Sequence, residues 1–121
     1  MSSPIVSVLM SCFNESELEL QNSIESILNQ SFSNLEFIIV NDNPHNLLLK
    51  NLLYKFQLDD IRVKIINNEN NIGLAKSLNK ALALSKGKYI ARMDADDISY
   101  PNRLEKQLEY LESNPDCDIV S

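Results

Sequence analysis

The sequence predicts an α/β fold in which a mostly parallel sheet lies between two layers of helices, as a three-layer α/β/α sandwich. Two observations support this prediction. Short apolar runs rich in β-branched residues, typical of buried strands, alternate with segments whose apolar residues recur at helical spacing. No internal repeat, low-complexity tract or interdomain linker interrupts the alternation. Strands that alternate with helices form βαβ units, so residues 1–121 are predicted to form one domain.

The first strand, the first helix and the second strand have clear local signals. Residues 5–10 and 35–40 are nearly continuous apolar runs and are predicted to be buried strands. Between them, Ser16 and Glu19 have the spacing of a capping box, which predicts that a helix begins here. Apolar residues of this helix then recur at helical intervals, at Leu20, Ile24, Ile27 and Leu28.

The later elements continue the same alternation. They are a helix over residues 47–56, a strand over 61–66, a helix over 74–82, a strand over 88–93, a helix starting at Pro101 and a strand over 118–120. Gly87 is predicted to be the C-cap of the third helix. The third strand alternates charged and apolar residues, which favours an edge position, and the second and fourth strands are predicted to be the most buried. Because the sequence ends inside a strand pattern, we expect the chain to be the N-terminal part of a longer protein.

Composition and charge exclude several classes of protein. The net charge of the 121 residues is −6, which argues against a protein whose whole surface binds nucleic acid. No apolar run approaches the roughly 20 residues of a transmembrane helix, and the N-terminus lacks the basic region of a signal peptide. Cys12 and Cys117 fit no metal-binding spacing, so both are predicted to be small buried hydrophobic residues.

Polar clusters follow three of the predicted strands, at residues 11–15, 41–43 and 94–97. In open α/β sheets, ligands bind outside the carboxyl ends of the strands, near the point where the strand order reverses. We therefore expect these three clusters to meet in one crevice.

Asp94, Asp96 and Asp97 form an acidic cluster after the fourth strand. Like charges this close repel one another, so the cluster requires an explanation. Asp94 and Asp96 could bind Mg²⁺ or Mn²⁺, because carboxylates suit hard cations and magnesium is usually held by one or two carboxylates together with substrate phosphates. Alternatively, Asp96, Asp97 and Ser99 cap the next helix. The two other polar strand ends favour the metal site.

The strand ends contain further candidates for ligand binding. Asp42 could accept a hydrogen bond from a nucleotide base or a ribose, or could form an Asx-turn before Pro44. Ser11 and Asn14 could line the same pocket, although Asn14 could instead cap the first helix.

The third helix and the last helix add three candidates. Gly73, at the start of the third helix, allows either a close backbone approach to a ligand or a turn with positive φ. Lys76, in the first turn of that helix, could reach a phosphate or lie on a solvated face. Arg103 is expected on the exposed face of the last helix, close enough to the acidic cluster to pair with it.

Three segments together resemble the family-two glycosyltransferases, which have the GT-A fold. The segments are "VSVLMSCFNES", "LEFIIVND" and "NNIGLAKSLNKALALSKGKYIARMDADDISYPNRLEKQLEYL". They contain, in the family's order, an Asn-Glu after the first strand, an Asp after the second, an Asn-x-Gly-Leu helix start and an Asp-x-Asp-Asp cluster. The pattern covers nearly the whole chain, and its last block is the most specific. The resemblance implies a Rossmann-like GT-A fold, with residues 1–121 as the nucleotide-sugar-binding donor half and the acceptor-binding half absent.

The resemblance also implies an activity. The family transfers a sugar from a nucleotide diphosphate donor, here expected to be a UDP-sugar, usually with inversion and with Mn²⁺ or Mg²⁺. The expected acceptor is a polysaccharide or a lipid-linked saccharide. The general base of the family comes from the acceptor half, which we expect beyond residue 121, so the fragment should bind donor and transfer sugar poorly. A cytoplasmic location, peripheral association with the inner face of the plasma membrane, and self-association are further expectations.

Individual positions match the family's functional residues. The second strand of the family often ends in Asp-Asp, where this chain has Asn41 and Asp42, and we expect the second position to carry the base contact. The resemblance places Ser11 at the base-binding wall, Asp42 on the base, Gly73 and Lys76 beside the donor pocket, Asp94 near the ribose and metal, Asp96 on the metal, and Asp97 either behind the metal ligands or as a helix cap.

Other classes of protein share some of these features. A nucleotidylyltransferase would also be an α/β protein with metal-binding carboxylates, but it normally has a Gly-rich loop after the first strand, and "MSCFNESE" contains no Gly. A receiver domain would need an acidic pair where this chain has Ser-Cys-Phe-Asn. The remaining alternative is a non-catalytic folding or interaction domain whose acidic cluster only caps a helix.

Overall fold

The computed structural model describes residues 4–114 and 119–120. In chain order the elements are β1 (Val6–Cys12), α1 (Glu17–Leu28), β2 (Leu35–Asn41), α2 (Leu47–Asp59), β3 (Val63–Asn67), α3 (Leu74–Leu84), β4 (Tyr89–Arg92), α4 (Arg103–Ser113) and β5 (Ile119–Val120). The strands form one sheet in the order β3-β2-β1-β4-β5, and every strand pair is parallel. The predicted α/β class and parallel sheet are confirmed.

Helices cover both faces of the sheet because successive strand residues point to opposite faces. Val8 and Met10 of β1 face one side and belong to a large apolar cluster with residues of α1, α2 and α4. Leu9 of β1 and Ile38 of β2 face the other side, in a smaller cluster with Ala81 of α3. The predicted three-layer sandwich is therefore confirmed, with the larger core under three helices.

Burial within the sheet follows the strand order. β2 is buried along its whole length, as predicted, and β1 beside it is nearly so. The prediction that β4 is equally buried is wrong, because Ile90 is only partly buried and Arg92 is exposed. The outer neighbour of β4 is the two-residue strand β5, which covers little of it. β3 lies at an edge of the described sheet, as its alternating charged residues predicted.

The helix boundaries confirm one predicted cap and correct another. Glu19 N–H donates to Ser16 Oγ and Ser16 N–H donates to Glu19 Oε1, both at 3.1 Å, so the capping box of α1 is confirmed. The prediction that Gly87 is the C-cap of α3 is wrong, because Ser85 has that position. Gly87 is instead required by close packing, since a Cβ there would lie 2.6 Å from the backbone nitrogen of Ser7.

The strand order reverses between β1 and β4. The chain first builds β1, β2 and β3 in one direction and then returns to place β4 on the other side of β1. Open α/β sheets bind ligands at such a reversal, outside the carboxyl ends of the strands. Since β1, β2 and β4 are parallel neighbours, the three polar clusters that follow them lie at one edge of the sheet, as predicted.

Three smaller predictions concern the cysteines, the last strand and membrane spans. Cys12 is buried, as predicted, and burial raises the pKa of its thiol to about 12, with further contributions from the charges of Glu15 and Asp42. Cys117 and Asp118 lie outside the described residues. No helix in the described part of the chain is both long and apolar enough to cross a membrane.

Candidate functional site

The loops that follow β1 and β2 are bonded to each other. Cys12 and Asn41 are partners in the sheet register, and Asp42 N–H donates to the Cys12 carbonyl at 2.9 Å. Asn43 Nδ2 donates to the Phe13 carbonyl, also at 2.9 Å. The Asx-turn that was considered for Asp42 is formed by Asn41 instead, whose Oδ1 accepts from Asn43 N–H at 2.9 Å. The first two polar clusters thus form one continuous surface.

The Asp42 carboxylate holds the loop between β3 and α3. The residue is only 2% exposed. Its Oδ1 accepts from Asn68 Nδ2 at 2.9 Å and from Ile72 N–H at 2.8 Å. Its Oδ2 accepts from Asn71 Nδ2 at 2.8 Å and from Gly73 N–H at 2.9 Å. Four donors from one loop therefore surround a single buried carboxylate.

The pKa of Asp42 lies below its usual value even though the group is buried. Burial by itself would raise this pKa, because it removes water from the charged form. The hydrogen bonds from Ile72 N–H, the Asn68 amide and Gly73 N–H favour the charged form and together outweigh burial. Asp42 is therefore an anion in the folded protein at neutral pH.

The acidic cluster after β4 lies in a turn that is bonded to α1. The Asp94 carbonyl accepts from Asp97 N–H and from Ser23 Oγ, both at 3.1 Å. The Asp94 side chain is 56% exposed, and its Oδ1 lies 3.7 Å from Arg92 Nη2. Asp96 and Asp97 are exposed as well. The turn thus presents three carboxylates to solvent on a backbone that α1 holds in place.

The structure does not support the alternative in which this cluster caps α4. That helix begins at Arg103, after the predicted Pro101, and its N-cap Asn102 makes no side-chain cap bond. Asp96 and Asp97 precede the N-cap and lie in the turn after β4. The two carboxylates are therefore available for another partner.

A cleft of about 540 Å³ lies beside the acidic cluster. It is lined by Arg92, Met93, Asp94, Asp97, Ile98, Ser99, Tyr100 and Arg103. Arg103 Nη1 donates to Ser99 Oγ at 2.9 Å, and its Nη2 donates to the Arg92 carbonyl at 2.7 Å. The expected pairing of Arg103 with the acidic cluster is wrong. In the part of the chain that the structure describes, the Arg103 guanidinium forms no ion pair with Asp94, Asp96 or Asp97. Burial lowers the pKa of Arg103, and the charges of Asp97 and Asp94 oppose this shift.

Asp94 and Asp96 offer a partial ligand set for a divalent cation. Within the described part of the chain, no group of three or more His, Cys, Asp or Glu side chains is arranged to hold a metal. Magnesium in proteins commonly takes one or two carboxylates and completes its shell with water and substrate phosphates. Asp94 lines the cleft, and Asp96 is exposed two residues further along the same turn but does not line it. These carboxylates fit, by residue type, a cation that binds together with a diphosphate.

The other predicted site residues lie at the same edge of the sheet. Ser11 is half-buried in β1, and Asn14 is exposed in the following loop, where Ser16 rather than Asn14 caps α1. Gly73 is the N-cap of α3 and has a φ of 90°, so the turn with positive φ is confirmed. Lys76 is exposed in the first turn of that helix. The roles of these residues in nucleotide binding stay predictions, as does the base contact of Asp42.

The sequence did not identify the partners of Asp42. The segment after β3 stood out as a loop rich in Asn, but neither Asn68 nor Asn71 received a role. Asn amides are good donors to a carboxylate, and this loop follows a strand that is parallel to β2. These two facts together could have indicated that Asn68 and Asn71 bind Asp42. Nothing in the sequence indicated that Ser23 of α1 would hold the turn at Asp94.

A family model places the chain among known proteins. The model for glycosyl transferase family 2 matches residues 7–121. The chain belongs to this family. This family-2 chain is 48% identical over 120 residues to an uncharacterized glycosyltransferase of Methanocaldococcus jannaschii, MJ1057. The match covers 99% of the chain and 41% of the relative. It is 37% identical over 111 residues to the amylovoran biosynthesis glycosyltransferase AmsE of Erwinia amylovora, covering 91% of the chain and 41% of the relative.

Solved structures share the fold of this family-2 chain. One is S. aureus TarS 1–349 in complex with UDP-GlcNAc, with a TM-score of 0.78 and 23% identity, covering 90% of this chain and 31% of that one. Another is the mannosyltransferase PcManGT from Pyrobaculum calidifontis in complex with GDP-Man and Mn²⁺, with a TM-score of 0.79 and 19% identity, covering 91% and 33%. The predicted GT-A fold is confirmed. The chain spans 41% of the length of each of the two relatives named above.

Proposed function

We propose that this chain is the nucleotide-sugar-binding half of an inverting glycosyltransferase that transfers a sugar from a UDP-sugar to a polysaccharide or lipid-linked saccharide. The acidic turn after β4 carries the proposal. It presents Asp94 and Asp96 to solvent, next to the strand-order reversal, and Asp94 lines a cleft of about 540 Å³. Membership of the family supports glycosyl transfer. The nucleotide sugars bound to two structural neighbours support the donor class.

The donor lies across the carboxyl ends of β1, β2 and β4 in this proposal. Ser11 and Asn14 line the wall beside the base, and Gly73 and Lys76 border the pocket at the start of α3. Asp94 lies near the ribose. All five positions are at one edge of the sheet, which supports a single ligand that reaches from the β1–β2 side to the β4 turn.

Mn²⁺ or Mg²⁺ is proposed to bind Asp94 and Asp96. When bound, such an ion supplies Lewis acidity that stabilises the departing nucleoside diphosphate. Arg92, whose Nη2 is 3.7 Å from Asp94 Oδ1, offsets part of the negative charge of the turn. The general base is proposed to lie in the acceptor-binding half, beyond residue 121.

The proposal also includes the cellular location of the longer protein. We place it in the cytoplasm, at the inner face of the plasma membrane, where a lipid-linked acceptor is available. Ile98 and Tyr100 are proposed to form an interaction surface, because both side chains are exposed and line the cleft. Exposed apolar patches of this kind are commonly interaction surfaces. In the isolated chain the same surface favours self-association, which sedimentation velocity measures.

Calorimetric titration of UDP into the chain tests the donor site. We expect binding in the presence of Mn²⁺ and loss of binding with excess chelator. Asp96→Asn should weaken the Mn²⁺-dependent affinity by about tenfold or more, since it removes one charged ligand. Asp59→Asn is the matched control, because Asp59 is an exposed aspartate at the end of α2, at the opposite edge of the sheet.

The choice of nucleotide separates the outcomes of this titration. Binding of GDP or dTDP with Mn²⁺, but not of UDP, would keep the donor site and change the base. Failure of all three nucleotides to bind with Mn²⁺ would contradict the proposal for this chain and favour a non-catalytic domain. Equal affinity of Asp96→Asn and the unaltered chain would remove Asp96 from the metal site.

A further inference from the structure

We infer that Ser23 and Ser26 of α1 are positioning residues for the proposed metal and diphosphate site, because their hydroxyl groups hold the backbone of the segment that follows β4. Neither hydroxyl contacts the ligand in this inference. It rests on the proposed function, since it concerns how Asp94 and Asp96 are held where a nucleoside diphosphate and its cation would bind. It gives a functional role to a helix that contributed no candidate residue to the site.

The two serines belong to a row of polar side chains, the α1 polar row, formed by Ser23, Ser26 and Gln30. These residues are three and four positions apart, so they lie on one face of α1 and of the chain directly after it. Ser23 is 0% exposed and Gln30 is 6% exposed. Buried polar side chains need hydrogen-bond partners. The row finds them in the segment between β4 and α4, which contains the acidic turn.

Each member of the α1 polar row bonds to the backbone of that segment. Ser23 Oγ donates to the Asp94 carbonyl at 3.1 Å. Ser26 Oγ accepts from Ser99 N–H at 3.0 Å. Gln30 bonds to two backbone groups near the start of α4. The row therefore holds the segment at three places along its length.

Backbone partners leave the carboxylates of the turn directed to solvent. The Asp94 carbonyl is bonded to α1 while the Asp94 side chain is 56% exposed, and Asp96 is exposed as well. The row thus fixes where the turn lies without using the groups that would bind a cation. Ligand groups that are already in place lower the entropic cost of binding, so the affinity for a cation and diphosphate should depend on these tethers.

Ser26 also connects α1 to the wall of the cleft. Its Oγ donates to the Ser23 carbonyl at 2.7 Å and accepts from Ser99 N–H, so both functions of the hydroxyl are used. Ser99 lines the cleft, and its own Oγ accepts from Arg103 Nη1 at 2.9 Å. A change at Ser26 should therefore reach the cleft through Ser99.

Alanine substitutions at the two serines test the inference. Ser23→Ala removes one tether, and the Asp94 carbonyl keeps its bond from Asp97 N–H. We expect Ser23→Ala and Ser26→Ala each to weaken the binding of UDP with Mn²⁺ by about three- to tenfold, the factor that corresponds to one hydrogen bond. Calorimetric titration measures the affinities. Unaltered affinity in both variants would overturn the inference.

Ser7→Ala is the matched control for a loss of stability. Ser7 is also 0% exposed, and its Oγ bonds to Glu36 and accepts from Gly87 N–H at 2.8 Å, at the opposite edge of the sheet. Urea unfolding should show that Ser7→Ala lowers the free energy of unfolding, but its affinity for UDP with Mn²⁺ should be unchanged. Equal weakening of the affinity in Ser7→Ala and Ser23→Ala would show that stability, not the position of the turn, governs binding.

Ser26→Thr tests whether the hydroxyl itself is required. A threonine in a helix can make the same bond to the carbonyl three residues earlier, and Ser26 is only half-buried. We expect Ser26→Thr to bind UDP with Mn²⁺ as the unaltered chain does. Binding as weak as that of Ser26→Ala would remove the hydroxyl of Ser26 from the positioning role.

Amide hydrogen exchange tests the tethers without nucleotide. We expect faster exchange at Ser99 in Ser26→Ala and at Asp97 in Ser23→Ala, and no change at either amide in Ser7→Ala. Unchanged exchange in both serine variants of α1 would overturn the inference. If the unaltered chain binds none of UDP, GDP and dTDP with Mn²⁺, the proposed function fails, while the exchange at these two amides still decides whether the serines hold the turn.

Discussion

Glu36 is a buried carboxylate near the amino end of β2, at the opposite edge of the sheet from the candidate site. The residue is 2% exposed. It accepts hydrogen bonds from Ser7 Oγ, from Lys64 Nζ at 2.7 Å and from Lys86 N–H. These bonds join β1, β3 and the connection before β4 to β2. The sequence placed Glu36 in a strand but not among these partners, because they are distant in sequence and meet only through the sheet order.

Replacing this buried carboxylate by an amide should destabilise the protein in a pH-dependent way. We expect Glu36→Gln to lower the free energy of unfolding at pH 7 by about 1–3 kcal/mol, since Lys64 loses its charged partner. Burial would raise the pKa of Glu36, but the bonds from Lys64, Ser7 and Lys86 N–H outweigh it and hold the pKa below the usual 4.5. The stabilisation is therefore present above pH 4.5 and is lost as the pH falls through the lowered pKa.

Urea unfolding at pH 7 and at several lower pH values measures this difference. Glu112→Gln is the control, because Glu112 is exposed on α4, and its effect should stay within about 0.5 kcal/mol. The unfolding free energies of Glu36→Gln and the unaltered chain should converge in acid. A gap that is constant with pH would show that the charge of Glu36 does not stabilise the fold.

At the scale of elements, α1 and α4 begin for different reasons. α1 has a local signal, the capping box of Ser16 and Glu19, and its start could be predicted. The start of α4 depends on Gln30, which directly follows the C-cap of α1. Its Oε1 accepts from Leu104 N–H at 3.0 Å, and its Nε2 donates to the Tyr100 carbonyl at 2.7 Å. A cap supplied by another element leaves no spacing in the local sequence, and the predicted start was therefore wrong.

Removing this distant cap should destabilise the junction of α1 and α4. We expect Gln30→Ala to lower the free energy of unfolding by about 1–3 kcal/mol, because the buried Leu104 N–H loses its acceptor. The Tyr100 carbonyl loses the Gln30 donor and keeps its bond from Arg103 N–H. Gln21→Ala on α1 is the control, since its side chain donates to Glu25 within one helical turn, at 3.3 Å, a contact that contributes about 0.2–0.5 kcal/mol. Urea unfolding compares the two variants, and equal losses would mean that Gln30 does not determine where α4 begins.

At the scale of the whole molecule, the sequence was sufficient to predict the three layers and the edge of the sheet where ligands should bind. Apolar periodicity and polar strand ends are local signals, and a parallel sheet brings those ends together whatever the details of packing. The contacts between distant loops needed the structure. The four donors around Asp42 and the bond from Arg103 to Ser99 depend on register and side-chain direction, which no spacing in the sequence specifies.

The proposed division between donor and acceptor halves leads to a prediction about the isolated chain. It spans 41% of the M. jannaschii relative, and the general base is proposed to lie beyond residue 121. General base catalysis typically contributes about 10²–10⁴-fold to rate. We therefore expect the 121-residue chain to bind UDP with Mn²⁺ while releasing no more UDP from UDP-GlcNAc than a protein-free control, in a coupled assay for UDP. Release that exceeds the control and disappears in Asp96→Asn would show that this half contains a complete catalytic centre, because a contaminating enzyme would be unaffected by that substitution.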